Sequence, residues 1–232
     1  QAANQWKFGL CPIVLFNIVL FLIKVTRKWK SLIRLEISNI LTINNKRYLV
    51  FKFFNSMFTG LSLGTVFIIY SPLHPSVYSI GGVALAVATM VIATLYNKLI
   101  KIEYFYLISL CVEIVILIIV LAVLIFSLSP KIASIVYIGY QITFFFGSYL
   151  VRCETLLLQS KKVLTKVDIF KQLGYLMGLA TSYVTYKWFE YYLLVMDNKD
   201  QVYLMHYCLL VNEIIVIVFL YFSFNKRSGL WH

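Results

Sequence analysis

Apolar residues occur in long runs along this chain rather than alternating with polar ones. A spanning helix needs about 20 predominantly apolar residues, and the chain from position 49 contains six runs that approach or exceed this length. They are Leu49–Tyr70, Ser79–Tyr96, Tyr104–Leu128, Ile132–Val151, Leu173–Tyr186 and Tyr203–Phe224. The fifth run is short, and we expect its helix to begin in the interface and continue past Lys187. The pattern predicts an all-α polytopic membrane bundle, with six transmembrane helices at residues 49–232.

Residues 1–48 form a separate N-terminal part in this interpretation. Phe8–Val25 is apolar on every side except Asn17 and Lys24, which predicts an additional hydrophobic helix that spans or inserts deeply. A signal-peptide-like core and a helix lying against the bundle are the alternatives. Lys24–Lys52 is basic, with aliphatic residues at roughly helical spacing, and predicts a basic amphipathic interfacial helix. A solvated connector is the alternative for this segment.

The composition excludes a soluble domain. Hydrophobic residues make up 61% of the chain and charged residues 13%, against about 45–50% and about 25% in ordinary soluble proteins. The net charge of +12 would suggest nucleic acid in a soluble protein, but here Lys and Arg lie at the ends of apolar runs. We therefore expect the lipid bilayer, and no nucleic acid, as a partner.

The distribution of basic residues predicts an orientation. Both ends of the six-helix part fall on one side, and this side carries every Lys and Arg except Lys7, Lys131, Lys187 and Lys199. The positive-inside rule makes that side, with the C-terminus, cytoplasmic. The abundance of Phe, Tyr, Ile, Asn and Lys suits an AT-rich genome, so a bacterial inner membrane is expected, with an organelle inner membrane as the alternative.

Two carboxylates stand inside apolar runs. At 1.5 Å per residue, Glu113 and Glu213 lie about 14–15 Å from the starts of their runs, near the middle of a core about 30 Å thick. Ionisable residues at this depth are costly unless they serve a site, and secondary transporters bind substrates and ions there. We interpret Glu113, Glu213, Asn212 and Gln141 as a substrate or ion pathway. A purely structural role, with each carboxyl group hydrogen-bonded to a neighbouring polar side chain, is the competing interpretation.

Two further groups of residues carry predictions. A cytoplasmic charge network is expected where the fourth and fifth helices meet the interface, formed by Arg152, Glu154, Asp168, Lys171 and Gln172. It would act as a gate between moving helices, or simply as an interfacial set of charges. Close helix packing is expected at two GxxxG motifs, Gly60 with Gly64 and Gly174 with Gly178.

Metal and soluble-enzyme motifs are missing from the sequence. The four cysteines lack CxxC spacing, and His74 and His206 lack the spacing of a ligand pair. No nucleophile elbow, P-loop or dinucleotide fingerprint occurs. We expect no metal, no cofactor and no catalytic residue. A membrane enzyme acting on lipid through Glu154, Asp168 or His206 is a third alternative.

The basic link Asn97–Lys101 between the second and third helices, and Arg152 with Glu154 after the fourth, carry a family resemblance. Over Leu49–Arg227 the chain resembles one six-helix half of a major facilitator superfamily transporter. The resemblance implies movement of a small solute by alternating access, with a second copy or another membrane subunit supplying the missing half. The competing interpretation is a non-catalytic structural or assembly subunit of a larger membrane complex, with the N-terminal part and the GxxxG faces as docking surfaces.

Overall fold

The computed structural model describes residues 41–70, 73–126, 129–158 and 160–226. In chain order the elements are β1 (Leu41–Ile43), α1 (Asn45–Tyr70), α2 (Pro75–Thr94), the short α3 (Tyr96–Leu99), α4 (Ile102–Ile125), α5 (Pro130–Leu158), α6 (Lys161–Tyr192), α7 (Asn198–Ser223) and β2 (Phe224–Lys226). The predicted hydrophobic helix Phe8–Val25 and the basic segment up to position 40 lie outside the described residues. The described chain is an all-α bundle.

Five of the described helices, α1, α2, α4, α5 and α7, are long and apolar enough to cross a membrane. The chain is therefore an integral membrane protein. Helix α6 has 32 residues but does not meet the same criterion, because lysines and polar residues occupy its first half. The sixth span stays a prediction.

The two short strands join the beginning and the end of the described chain. They pair antiparallel, with Leu41 opposite Lys226 and Ile43 opposite Phe224, and the Asn44 N–H donates to the Ser223 carbonyl at 2.8 Å. The predicted amphipathic helix up to Lys52 is thus extended at residues 41–43. Residues 41–48 belong to the same compact unit as the helices.

Helices α1 and α6 form the most extensive contact, and glycine makes it possible. A methyl group at Gly174 would overlap the Phe53 carbonyl, and one at Gly178 would overlap the Met57 carbonyl. A methyl at Gly60 would lie 2.8 Å from the Leu179 nitrogen. Gly60, Gly174 and Gly178 therefore bring the backbones of α1 and α6 together, as small residues do in membrane bundles. Gly64 lies apart, with its absent methyl 3.3 Å from the Tyr186 ring.

The remaining large contacts follow a regular pattern. Helix α1 packs on α6 and α7, α5 packs on α2 and α4, and α4 packs on α7. The pattern of these largest contacts is unchanged when α1, α2 and α4 are exchanged with α5, α6 and α7 in order. The α4–α7 contact maps onto itself under this exchange, as does the smaller α1–α5 contact. The smaller α6–α7 contact has no counterpart of similar size between α2 and α4, so the correspondence holds for the largest contacts.

Apolar packing fills the end of the bundle near Tyr70. Buried residues there include Ile69, Ile119, Val123 and Val136, each 4% exposed or less, with Tyr70 and Tyr140 against them. The opposite end, near Tyr48, instead holds charged side chains. The bundle thus has an apolar end and an ionic end.

Candidate functional site: a buried carboxyl pair joined to an ion cluster

The two mid-run carboxylates meet at the α4–α7 contact. Glu113 is 2% exposed and Glu213 is fully buried, and their carboxyl groups interact electrostatically. Two like charges held close together in a dry site repel each other strongly. The pair is therefore a candidate proton site.

Asn55 of α1 completes the immediate surroundings of the pair. Its Nδ2 donates to Glu113 Oε1 at 2.8 Å. Glu113 Oε2 and both oxygens of Glu213 have no hydrogen-bond partner among the described residues. Buried acceptors without donors are costly, and most of all when charged. The scarcity of donors therefore disfavours a pair of two ionised carboxylates.

Among the described residues no hydrogen bond joins the other two residues of the predicted pathway to the acids. Asn212 Nδ2 donates to the Phe54 carbonyl at 3.0 Å, which joins α7 to α1 rather than to the acids. Gln141 Oε1 is buried and has no hydrogen-bond partner in the described part of the chain. Sequence reasoning missed Asn55, whose signal was a lone amide within the aromatic run Phe51–Phe58.

A second buried site surrounds Glu154 of α5 at the ionic end. This residue is 2% exposed and has three partners on two other helices. Its Oε1 accepts from Tyr48 Oη at 2.6 Å and lies 3.1 Å from Lys52 Nζ. Its Oε2 accepts from Lys171 Nζ at 2.5 Å. Buried charges persist only when paired in this way, so Glu154 ties α1, α5 and α6 together.

The lysine from α1 has an aromatic as well as an ionic setting. Lys52 Nζ lies 5.4 Å from the ring centroids of both Tyr48 and Phe51, close enough for cation–π attraction. Sequence reasoning had placed Tyr48 and Lys52 in the interfacial segment, because basic residues precede them. Only the packing of α1 against α5 shows that they serve a buried carboxylate.

The predicted charge network is only partly assembled. Asp168 lies 4.0 Å from Lys171 with a side chain 75% exposed, and Gln172 lines a shallow surface groove beside it. Arg152 is exposed, and no ion pair joins it to Glu154 among the described residues. Residues two apart on a helix point in different directions. The structure therefore brings Glu154, Lys171 and Asp168 together and leaves Arg152 apart.

Helix α1 contributes to both buried sites, since Lys52 pairs with Glu154 and Asn55, three residues later, donates to Glu113. Among the described residues no ion pair joins Lys52 to Glu113 or Glu213. The two sites are therefore neighbours along α1 rather than one bonded network.

Fold and site together define a helical integral membrane protein with a buried pair of carboxyl groups in its core. Comparison of the chain with protein-family models, curated proteins and solved structures found no match. The arguments about function therefore rest on the geometry of this chain.

Proposed function

We propose that this chain is a membrane transport protein whose Glu113–Glu213 pair takes up and releases the proton that drives movement of a small solute. The observation that carries the proposal is the contact between two buried acids, one on each of the central helices α4 and α7. Carboxyl groups in such places are expensive, and they commonly serve proton relays or ion sites.

The packing pattern supports the same proposal. Many transporters are built from two repeats of opposite orientation, with the substrate or ion site near the bilayer midplane where the repeats meet. Exchange of α1, α2 and α4 with α5, α6 and α7 leaves the pattern of the largest helix contacts unchanged, and the acids lie at α4–α7, a contact that maps onto itself. Three helices per half give the halves opposite orientations if all six long helices span. Because both acids are buried, the conformation corresponds to an occluded stage of alternating access.

The expected membrane, orientation and partner of the protein follow from its sequence. The protein would lie in a bacterial inner membrane with its C-terminus in the cytoplasm, following the positive-inside distribution of Lys and Arg. A second copy, or another membrane subunit, would supply the facing wall of the pathway, as in the two-half arrangement of the major facilitator superfamily.

The test is proton uptake by proteoliposomes that contain a pH-sensitive dye. An inside-negative potential would be imposed, with and without mixtures of small solutes outside. We expect the wild type to take up protons, and Glu113→Gln and Glu213→Gln to lose this uptake. Glu190→Gln is the matched control, since this partly exposed residue pairs only with the nearby Lys187 among the described residues. It should behave as the wild type.

The competing subunit interpretation gives different results. If the wild type takes up no more protons than the Glu113→Gln and Glu213→Gln variants, the carboxyl pair is structural and the proposal fails. Copurification with other polypeptides in fixed ratio, together with that result, would establish the chain as a structural subunit.

A further inference from the structure

We infer that the exposed face of the first half of α6 binds an anionic phospholipid at the ionic end of the bundle. Two lysines of this face, Lys162 and Lys166, contact the phosphate group. An acyl chain lies along the apolar residues that follow them, which are Ile169, Leu173 and Leu176. The site goes beyond the proposed function, since it requires no movement of protons or solute.

These five residues form one continuous stripe along α6. Their spacing places all of them within an arc of about 80° around the helix axis at 3.6 residues per turn. All five are exposed, and the three apolar ones line a shallow groove on the helix surface. The other side of the helix carries the buried residues Val167, Gly174 and Gly178. The stripe therefore faces away from the bundle.

The contact with α1 shows where the stripe lies relative to the apolar part of the bundle. A methyl group at Gly174 would overlap the Phe53 carbonyl, and one at Gly178 would overlap the Met57 carbonyl. The two helices therefore run in the same direction and advance together. The first long apolar run of α1 begins at Leu49, four residues before Phe53, so its start is level with about residue 170 of α6.

The lysines of the stripe consequently lie outside the apolar core, and the leucines lie inside it. Lys166 is about 6 Å along the helix axis from residue 170, and Lys162 is about 12 Å from it. The headgroup layer on each side of the core is about 5–7 Å thick, and a long lysine side chain can extend along the helix to reach it. Leu173 and Leu176 lie about 4.5 Å and about 9 Å on the inner side of residue 170. The stripe thus presents cations to the headgroup layer and an apolar surface to the chains.

The charge of this segment is complementary to an anionic headgroup. Lys161, Lys162 and Lys166 are exposed, and none of them pairs with a carboxylate among the described residues. The nearby acid, Asp168, is offset by Lys171 at 4.0 Å. Basic side chains at a membrane surface attract anionic lipids, whereas a zwitterionic headgroup offers them no net charge. The site should therefore select for headgroup charge.

The test is native mass spectrometry of the full chain in mild detergent, titrated with dioleoyl phosphatidylglycerol or with dioleoyl phosphatidylcholine. The two lipids have the same chains and differ in headgroup charge. The variant combines Lys162→Gln with Lys166→Gln. The matched control combines Lys131→Gln with Lys199→Gln, since these exposed lysines lie in the first turns of α5 and α7 at the apolar end. Both double variants lose two positive charges.

We expect the wild type to bind phosphatidylglycerol more tightly than phosphatidylcholine. The variant at Lys162 and Lys166 should bind phosphatidylglycerol about 25-fold more weakly, since each lysine near an anionic lipid surface contributes a factor of about five. The control should match the wild type, and phosphatidylcholine should bind equally to all three proteins. Asp168→Asn should strengthen the binding of phosphatidylglycerol, because it removes a negative charge from the groove.

A second double variant, Leu173→Ala with Leu176→Ala, tests the contact with the chain. It should weaken the binding of both lipids by the same factor and leave the preference between them unchanged. Glycerol phosphate, which has the phosphate group but no chains, should not displace phosphatidylglycerol. Displacement would show a site for free phosphate instead of a lipid.

Three results would overturn the inference. The first is equal affinity of the wild type and the variant at Lys162 and Lys166 for phosphatidylglycerol. The second is equal weakening by both lysine variants, which would show a general effect of net charge. The third is a particle in which a second copy of the chain excludes the lipid, which would assign this face to a protein contact. Because proton uptake is measured separately, none of these results would count against the transport proposal.

Discussion

Replacement of Gly174 by alanine tests how tightly α1 and α6 are joined. The added methyl carbon would overlap the Phe53 carbonyl oxygen and lie 2.9 Å from its carbon and 3.1 Å from the Phe53 Cα. Non-bonded carbon atoms prefer about 3.5–4.0 Å, so the helices would have to separate or tilt. Because the obstacle is backbone, no side chain can rotate out of the way. Overpacking of this kind costs about 1–3 kcal/mol.

Gly82→Ala provides the matched control. It makes the same substitution within a spanning helix, but a methyl group there meets no atom within 4 Å. Any general effect of alanine on the helix cancels between the two variants. The difference in their free energies of unfolding should therefore equal the contact cost, about 1–3 kcal/mol.

Reversible unfolding in mixed micelles of mild detergent and sodium dodecyl sulfate, followed by tryptophan fluorescence or circular dichroism, would measure this difference. Equal stability of the two variants would mean that the α1–α6 contact can relax at no cost. The conclusion that glycine is required at the interface would then be wrong.

Three further predictions concern the ionic end and the topology. Glu154→Gln should lower the free energy of unfolding by about 3–5 kcal/mol, because it removes the counter-charge of Lys52 and Lys171. The control, Asp168→Asn at an exposed site, should change the free energy of unfolding little in the same assay. Tyr48→Phe should lower the free energy of unfolding by about 1.5–3 kcal/mol in that assay, because it removes a hydrogen bond to a charged group. An unchanged stability would show that Lys52 and Lys171 alone satisfy Glu154. The third prediction concerns α6 and uses single cysteines at Ser160 and Asp197 in a cysteine-free background. If α6 spans the membrane, an impermeant maleimide should label these two cysteines from opposite sides. Labelling of both from one side would limit the described helices to five spans.

The carboxyl pair shows how far sequence reasoning reached into the site. Each acid could be found from its position in the middle of an apolar run, since a charge there is costly wherever the helix packs. Their contact could not be found, because it depends on α4 and α7 being neighbours. The choice of Asn212 as a partner was reasonable from its place beside Glu213, yet the helix directs its amide toward the Phe54 carbonyl.

The ion cluster shows a different limit. Glu154, Asp168 and Lys171 were expected together because they lie near one interface, and their distances agree with that expectation. Tyr48 and Lys52 were read as interfacial residues, because composition does not distinguish a snorkelling lysine from one buried against a carboxylate. Arg152 was included through its nearness in sequence, which on a helix is no guide to direction.

The sequence by itself determined that this is a helical membrane protein, roughly where its helices run and which two acids lie deep within them. The physical reason is local: a bilayer offers no hydrogen bonds to the backbone, so an apolar stretch of sufficient length must form a helix. Tertiary structure alone decided which helices touch, that the two acids meet at the α4–α7 contact and that Lys52 pairs with Glu154. These depend on complementary shape between distant segments, as when glycines on α1 and α6 let two backbones meet.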